Sequence, residues 1–464
     1  MGALIDAGVD VVRINASHGT AEARVRWIED LKAVRAEPSR ADRAVAILVD
    51  LQGPRIRVGR LPKPLLLDPG ADVVFAPEAT ATEGEIPTTY PELAQDLSPG
   101  ATILLDDGLL AVEVTDIRND RVRGRVRYGG ELTSNKGINL PGIEVSAPAI
   151  SERDREEVAR VIPLGIDFIA MSFVRRPEDV EEMRRLVPHP IRIVAKIEKD
   201  TALRNIRGIL EVADSIMVAR GDLGVELPFE EVPLAQKRLI REANLCNKPV
   251  ITATQMLESM IHAPRPTRAE ASDVANAILD GTDAVMLSAE TAIGDYPLEA
   301  VAAMARIAHE LERNRRGRSS ALDIAAGRTE EGERLGRREG DREPTRTEAA
   351  IAVATCAASE LLRTPVIVCF TSSGFTARTV ASFRPTVPIF AVTTEPETFR
   401  QLALVWGVVP ALVDHLPSYE DMLPVARQRM LESGLVRPGD RVVVTAGVPF
   451  DRPGTTNLVK VEFV

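Results

Sequence analysis

Short, uniformly apolar segments recur between Val9 and Leu287, and each ends in polar or charged residues. Uniformly apolar segments of this length are typical of strands that are buried on both faces of a sheet. Longer segments with helical spacing separate them. The pattern predicts parallel strands that alternate with helices, with the strands at 9–14, 44–49, 168–173, 191–197, 215–219, 250–253 and 284–287.

This alternation favours an α/β fold of the (β/α)8 TIM barrel type, whose functional residues lie at the carboxyl ends of the strands. The pattern contains seven strands, so we expect the first strand to precede residue 1, in a truncated gene model. A seven-stranded barrel would leave backbone groups unpaired at an open edge. Polar side chains follow the predicted strands at Asn15, Asp50, Ser172, Lys196, Glu198, Asp222, Thr254 and Ser288.

The sequence pattern changes twice along the chain. Residues 54–146, called the insert below, show short alternating strands separated by Pro-Gly, Asp-Gly and Asn-Asp turns, which predicts a small antiparallel β domain. Residues 313–346 are rich in Arg, Glu and Gly and read as a charged linker. The predicted division is a barrel in two parts at 1–53 and 147–312, the insert, the linker, and a C-terminal α/β unit at 347–464.

Composition excludes several classes of function. The net charge of −11 argues against a nucleic-acid surface. Three widely spaced cysteines, at positions 246, 356 and 369, indicate neither a disulfide framework nor a zinc site. No apolar segment is long enough to span a membrane, and the first residues lack the basic region of a signal peptide. We therefore expect a cytoplasmic protein.

Two carboxylates and a lysine stand at the ends of successive predicted strands. Glu198 and Asp222 suit a hard divalent cation, and Lys196 points to the same face as Glu198 because strand side chains repeat every two residues. Only eight of the 57 basic residues are lysines, so we expect position 196 to require a compact ammonium. This arrangement suits phosphoryl transfer. The alternative is a structural ion pair at a strand end.

Eight stretches resemble the pyruvate kinase family, in that family's order. Arg-Ile-Asn-Ala-Ser-His-Gly stands at 13–19, and Thr-Ala-Thr-Gln-Met-Leu-Glu-Ser-Met stands at 252–260. The other stretches are 50–57, 135–142, 195–198, 217–224, 265–270 and 287–291. The resemblance covers nearly the whole chain. It implies transfer of the phosphoryl group of phosphoenolpyruvate to ADP, which gives pyruvate and ATP.

The resemblance also implies roles for particular residues. Glu198 and Asp222 would hold Mg²⁺ or Mn²⁺. The implied catalytic residues are Lys196 and Arg13, at the phosphoryl group, and Thr254, which helps to protonate the enolate. Substrate would be bound by Arg13, Lys196, Gly221, Asp222 and Thr254. Nucleotide would be bound by Asn15, Ala16, Ser17, His18, Arg57 and Lys136. Taken singly, the polar residues among these could instead be ordinary caps, turns or surface charges.

A monovalent cation is a separate question. In the family, residues that match Asn15, Ser17, Asp50 and the Leu51 carbonyl hold K⁺, so K⁺ could bind here. However, K⁺-dependent members carry Thr-Lys after the Asp and a Glu at the position of Arg55, whereas this chain has Leu51-Gln52. K⁺-independent members carry Leu-Gln and a Lys at that position. We therefore expect the Arg55 guanidinium to replace K⁺, unless it only solvates the domain junction.

The last unit resembles the family's regulatory domain. The loop Thr371, Ser372, Ser373, Gly374, Phe375 and Thr376 follows a predicted strand and resembles a phosphate-binding nest, assisted by Arg452 or nearby residues. The resemblance implies a phosphorylated allosteric effector and a homotetramer. Two other functions stay open: a catalytically silent family member, and another Mg²⁺ enzyme of phosphoenolpyruvate or pyruvate, such as a lyase. A P-loop kinase is disfavoured because the chain has no Walker-type sequence.

Overall fold

The structure, a computed structural model, describes residues 1–313, 324, 347–414, 419–448 and 456–464. The predicted linker lies outside the described residues except for its first residue, Arg313, and for Ile324. Arg452, which the sequence placed near a regulatory ligand, lies outside them as well.

A seven-stranded parallel sheet forms the centre of the first 300 residues, as predicted. Its strands follow one another in the sheet in the same order as in the chain. Their residues are almost all buried except in the first and last strands, as expected for strands covered on both faces. The strands are Val11–Asn15, Ala46–Asp50, Phe168–Met171, Arg192–Ile197, Ser215–Ala219, Val250–Ala253 and Ala284–Val285. An eighth strand is not among the described strands of this sheet.

Helices follow the strands and surround the sheet. Sequence signals for helix starts and stops are visible in the structure: Ser151 and Thr267 each form a capping box with the third helical residue. Gly281, at φ 101°, ends the helix before the last strand. The helices are Gly2–Asp6, Ala21–Arg35, Glu152–Val161, Pro177–Leu186, Asp200–Arg204, Ile206–Val212, Arg220–Glu226, Val232–Leu245, Arg268–Asp280, Ala289–Ala292 and Pro297–Arg313, with 3₁₀ turns at Ile162–Leu164 and Glu258–Ile261.

A buried ion pair joins a barrel helix that precedes the insert in the chain to the first helix that follows it. Arg24 donates from Nε and Nη2 to the two carboxylate oxygens of Glu157, at 2.6 and 2.7 Å. Both side chains are almost fully buried. Burial acts to raise the pKa of Glu157, but the hydrogen bonds and charge of Arg24 outweigh it and hold that pKa below its usual value.

The insert folds around its own apolar core. Its six-stranded sheet is antiparallel except for one parallel pair at the edge, and β-bulges bend the strand Leu110–Arg118. Buried side chains from both ends of the insert, such as Val58 and Leu140, pack with Phe75 at its centre. In sheet order, the strands are Ile138–Asn139, Thr102–Leu105, Leu110–Arg118, Arg121–Tyr128, Asp72–Pro77 and Ile86–Thr88; a second sheet pairs Leu65–Leu67 with Gly130–Leu132, and Leu93–Asp96 is helical.

The C-terminal unit is an α/β layer around a five-stranded sheet. Four strands are parallel, and the last strand is an antiparallel edge. In sheet order, the strands are Val408–Leu412, Ile389–Thr393, Ile367–Phe370, Arg441–Ala446 and Leu458–Phe463. The helices are Thr347–Leu362, Phe375–Ala381, Pro396–Gln401 and Tyr419–Glu432, with a 3₁₀ turn at Leu402–Leu404.

Arginines of the C-terminal unit bind carboxylates that lie just before barrel strands. Arg400 Nε donates to Asp167 Oδ1 at 2.7 Å, and Arg384 Nη1 donates to Asp283 Oδ1 at 2.9 Å. Asp167 is fully buried. Each aspartate precedes a strand, so the C-terminal unit packs against the amino ends of the barrel strands, opposite the predicted functional edge. None of the described helices is both long and apolar enough to cross a membrane.

Candidate active site

Lys196 lies at the centre of a group of polar side chains at the carboxyl ends of the barrel strands. Its Nζ donates to Ser172 Oγ at 2.6 Å and is 2.8 Å from Glu198 Oε1. Asp50 Oδ1 lies 3.2 Å from the same Nζ, an ion-pair contact without a well-aligned hydrogen bond. The side chain of Lys196 is 11% exposed, and those of Asp50 and Glu198 are 1% exposed.

The electrostatics of this group follow from burial and charge. Burial alone would lower the pKa of Lys196, but the carboxylates of Asp50 and Glu198 outweigh burial and raise it, so the ammonium stays charged. Burial raises the pKa of Glu198, and the nearby charge of Asp222 raises it further, while Lys196 opposes both. Positive charge beside Glu198 therefore favours its anionic form.

Asp50 holds a second cation as well. Arg13 Nε donates to Asp50 Oδ2 at 2.6 Å, and Arg13 remains partly exposed. In the two paired strands, Asn15 lies opposite Asp50 and Arg13 lies opposite Leu48. Arg13 is therefore two positions before the residue opposite Asp50, on the same face of the sheet. Arg13 and Lys196 thus share one buried aspartate and bring two positive charges to the same edge of the sheet. Such a pair of charges is suited to a phosphoryl group.

Glu198 and Asp222 are the residues that could hold a divalent cation. Glu198 Oε2 accepts a 2.6 Å hydrogen bond from the backbone amide of Phe173, which fixes the carboxylate. Asp222 lies in the first turn of the helix Arg220–Glu226. Within the described residues, no group of three or more carboxylate, histidine or cysteine side chains could hold a metal ion. Two carboxylates fit Mg²⁺, which completes its octahedron with water and substrate oxygens.

Thr254 follows its strand in an unusual backbone conformation. Its φ is +66°, a region that a β-branched residue rarely adopts and that costs about 1–3 kcal/mol. Thr254 Oγ1 accepts a 2.8 Å hydrogen bond from the amide of Gly221 and donates to the Ala253 carbonyl at 2.7 Å. The hydroxyl therefore occupies the amide of Gly221, one of the residues that the resemblance implies for substrate binding.

The residues predicted to contact nucleotide lie in two parts of the chain, the turn after the first barrel strand and the insert. Asn15, Ala16, Ser17 and His18 form the turn after the first strand, where Ser17 N donates to Asn15 Oδ1 at 3.0 Å and Ala16 N donates to the Asp50 carbonyl at 2.8 Å. The four residues expected around K⁺ stand at the ends of the first two barrel strands, which are neighbours in the sheet. Ser172 Oγ, after the next strand, donates to the Leu51 carbonyl at 2.9 Å.

Arg57 and Lys136 lie in the insert. Arg57 Nη1 donates to the Asn135 carbonyl at 2.9 Å, and Lys136 Nζ is 2.8 Å from Asp106 Oδ1. Both contacts stay within the insert. Burial lowers the pKa of Arg57, and the positive charge of Arg55 lowers it further.

Comparison with known proteins decides the family. A family described as the pyruvate kinase barrel domain matches residues 1–301, and one described as the pyruvate kinase alpha/beta domain matches residues 349–462. A pyruvate kinase of Geobacillus stearothermophilus is 47% identical over 99% of this chain and 77% of its own. The chain belongs to the pyruvate kinase family. It is therefore a phosphotransferase of glycolysis.

Further pyruvate kinases give the same result. That of Clostridium acetobutylicum is 42% identical over the whole of this chain and 95% of its own. A crystal structure of a pyruvate kinase from Cryptosporidium parvum has a TM-score of 0.91 at 33% identity and covers 100% of this chain and 92% of that one. The fold class and the phosphotransferase activity predicted from the sequence are both confirmed.

The insert contacts the barrel beside the predicted metal site of this pyruvate kinase family member. Glu226, at the end of the helix that begins at Arg220, forms an ion pair with Lys199, and Asn139 of the insert lies close enough to its carboxylate to lower its pKa. Glu226 is buried, and burial raises its pKa while Lys199 and Asn139 oppose that rise. Lys199 directly follows Glu198, so the contact joins the insert to the residues around the predicted metal site.

Two residues at this edge of the barrel, Arg220 and Asp273, were not predicted from the sequence. Arg220 Nη1 donates to Asp273 Oδ2 at 2.5 Å, and Arg220 also contacts the backbone around Thr254. Asp273 lies in the middle of the helix Arg268–Asp280, where nothing local marks it as a site residue. The Arg-Gly-Asp order at 220–222 was the available signal, since Gly221 and Asp222 were both predicted site residues.

The predicted effector loop lies far from this group, in the C-terminal unit. The helix begins at Phe375, after Gly374 at φ 76°, one residue before Thr376. Thr376 is buried and its hydroxyl is hydrogen-bonded to Thr456 Oγ1 at 2.8 Å. The Ser372 carbonyl accepts from Thr398, and the Ser373 carbonyl accepts from Arg192 Nη2 at 3.2 Å. Arg192 begins the strand whose other end carries Lys196.

Proposed function

We propose that this edge of the barrel performs the pyruvate kinase reaction, in which the phosphoryl group of phosphoenolpyruvate moves to ADP. The observation that best supports this proposal is the position of Lys196 Nζ, which lies 2.8 Å from Glu198 and 3.2 Å from Asp50 at the ends of parallel strands. A buried ammonium held charged between carboxylates supplies fixed positive potential where phosphoryl charge develops.

The residues divide the work of phosphoryl transfer. Lys196 and Arg13 bind the phosphoryl oxygens and stabilise their charge as the bond to the enol oxygen breaks and the bond to the ADP β-phosphate forms. Glu198 and Asp222 hold Mg²⁺ or Mn²⁺, which neutralises phosphate charge when bound. The Gly221 amide and its neighbours bind the substrate carboxylate.

The enolate that remains after transfer must take up a proton at its methylene carbon. We assign the delivery of this proton to the region of the Thr254 hydroxyl, which stands 2.8 Å from the Gly221 amide. Substrate carboxylate at Gly221 would take over that hydrogen bond and release the hydroxyl toward the enolate. Thr254 is thereby the candidate for the last link of a proton path to solvent.

The insert and the first turn would hold the nucleotide. Asn15 to His18 lie on the barrel, and Arg57 and Lys136 lie on the insert, so ADP would bind between them. Closure of the insert over ADP would bring Lys136 from Asp106 to the phosphates and exclude water. We also propose that the insert is a separate domain, with boundaries at 53/54 and 146/147.

The proposal for the monovalent cation rests on charge. Arg55 is exposed beside Arg57, and together they raise the positive potential at the entrance where phosphate would sit. We propose that this potential substitutes for K⁺, although Asn15, Ser17, Asp50 and the Leu51 carbonyl remain able to hold the ion.

For the C-terminal unit we propose a phosphorylated effector at Thr371–Thr376, with signals passing to the barrel through Arg192. We also propose that the protein is a homotetramer. The phosphoryl transfer proposed above depends on neither the effector site nor the tetramer.

A coupled assay of ADP phosphorylation tests the proposed reaction. We expect ATP and pyruvate to form from phosphoenolpyruvate and ADP with Mg²⁺, and Glu198→Gln to abolish turnover while binding of nucleotide to the insert persists. Binding of both substrates without turnover by the unmutated protein would instead identify a catalytically silent member.

A further inference from the structure

The backbone around Thr254 is held in a conformation that its own sequence does not favour. Thr254 and the next residue, Gln255, have φ values of 66° and 53°. Neither is a glycine, and Thr is β-branched, so both residues disfavour this left-handed region. Two such residues in succession persist only where neighbouring groups hold the peptide in place.

Arg220 supplies the hydrogen bonds that hold this peptide. Its Nη2 donates to the Thr254 carbonyl at 2.5 Å and to the Gln255 carbonyl at 3.1 Å, and its Nε donates to the Ala253 carbonyl at 3.3 Å. One guanidinium therefore binds three consecutive carbonyl oxygens. The fixed fork of an arginine allows this, whereas a lysine ammonium would not reach all three.

Arg220 is itself fixed from its other side. Its side chain is only 10% exposed, and Nη1 donates to Asp273 Oδ2 at 2.5 Å and to Gln236 Oε1 at 3.4 Å. Asp273 belongs to the helix Arg268–Asp280, and Gln236 belongs to the helix Val232–Leu245. Two helices of the barrel wall thus hold the guanidinium against the end of the strand Val250–Ala253.

We propose that Arg220 is a positioning residue for the Thr254 hydroxyl, and that Asp273 anchors it. This inference rests on the proposed function of Thr254 in enolate protonation. Arg220 precedes Gly221, whose amide donates to Thr254 Oγ1, so the same turn sets both the backbone and the hydroxyl of Thr254. Without the guanidinium, the peptide would relax toward ordinary φ values and the hydroxyl would leave the substrate position.

Proton transfer is the step that this positioning should affect. A displacement of a reacting group by about 1 Å can cost about 100-fold in rate. We therefore expect loss of the Arg220 fork to slow the uptake of a proton by the enolate, and to change the KM for phosphoenolpyruvate little, since Arg13 and Lys196 are untouched. A residue that merely stabilised the fold would lower exchange and turnover in proportion to the amount of folded protein and leave the KM unchanged, and its loss would multiply with the loss in Thr254→Val.

The experiment compares Arg220→Lys, Asp273→Asn and Thr254→Val with the Arg220→Lys/Thr254→Val double variant. Overall turnover is measured by coupled ADP phosphorylation. The proton step is measured by the exchange of pyruvate methyl hydrogens with deuterated water, with Mg²⁺ and ATP present. Arg238→Lys serves as the matched control, because Arg238 is an exposed arginine on the adjoining helix Val232–Leu245. Asp273→Asn keeps the test open if Arg220→Lys folds poorly.

We expect Arg220→Lys to lower exchange and turnover by about 10–100-fold with the KM for phosphoenolpyruvate within about twofold, and Asp273→Asn to lower them less. In the double variant, the loss should be no larger than that of Thr254→Val alone, because both changes disable one step. Multiplicative losses, or normal exchange in Arg220→Lys, would overturn the inference and leave the proposed function standing. Normal turnover in Thr254→Val would instead refute the role of Thr254 itself.

Discussion

Replacement of Lys196 by Met tests the central electrostatic assignment, because Met keeps most of the side-chain volume and removes the charge. With an effective dielectric constant of about 20, an ammonium 2.8 Å from one carboxylate and 3.2 Å from another gains on the order of 5–6 kcal/mol from each. Dehydration of the three groups offsets most of this gain. The net cost of breaking a buried pair is about 3–5 kcal/mol.

Two consequences follow for the Lys196→Met variant. Turnover should fall by about 10²–10³, the usual cost of one removed contact to developing charge. The melting temperature of the metal-free protein should fall by about 5–8 °C, since the barrel and the insert together, about 300 residues, have an unfolding entropy of about 0.6 kcal/mol/K. Mg²⁺ should restore part of that loss, because it would supply positive charge to Glu198 and Asp222.

The assays are coupled ADP phosphorylation and thermal melting with and without Mg²⁺. Lys248→Met is the control: Lys248 is also partly buried, and its Nζ donates only to the Ala213 carbonyl among the contacts seen, at 2.7 Å. Its turnover should stay within about twofold of the unmutated protein. Near-normal turnover of Lys196→Met would refute the role of the ammonium. A melting temperature that Mg²⁺ leaves unchanged would refute the two-carboxylate metal site.

Three further predictions concern other parts of the molecule. Hydrogen exchange in the insert should slow when ADP, Mg²⁺ and a substrate analogue are added, and Lys136→Met should weaken this protection; an unchanged insert would contradict closure. Activity should persist in tetramethylammonium buffer free of Na⁺ and K⁺, and Arg55→Glu should lower it and make it respond to K⁺; a strict K⁺ requirement of the unmutated protein would exclude the substitution by Arg55. The contribution of Glu157 to stability should be present above about pH 4.3, its unfolded pKa, and be lost as pH falls through its lower folded pKa. Glu157→Gln should therefore flatten the decline of the melting temperature below about pH 4.3, and an equally steep decline would count against this pair.

Local patterns were sufficient for much of the fold. The strands Ser215–Ala219 and Val250–Ala253 have the bounds that the sequence predicted. The first strand begins at Val11 and not at residue 9, because the Val9 amide donates back to the Leu4 carbonyl and belongs to the preceding helix end. The last barrel strand ends at Val285, two residues earlier than predicted.

Long-range contacts of the site were beyond the reach of those patterns. Strand periodicity placed Lys196 beside Glu198, but the pairing of Asp50 with both Arg13 and Lys196 depends on the register of three strands. Likewise, 53 residues separate Arg220 from Asp273, and nothing local to either residue marks the contact. The positive φ of Thr254 is a tertiary effect as well, since its own residue type opposes it.

The aspartates beneath the barrel restrict how this protein can be recombined with its relatives. Asp167 accepts from the Ile47 amide at 2.8 Å and from Arg35 at 3.2 Å within the barrel, and Arg400 completes its set from the C-terminal unit. A chimera that replaced residues 347–464 alone would bury this carboxylate with one cation fewer, unless the donor also carried an arginine at the position of Arg400. Successful grafts should therefore be those in which the Asp167–Arg400 and Asp283–Arg384 couples are exchanged as matched pairs.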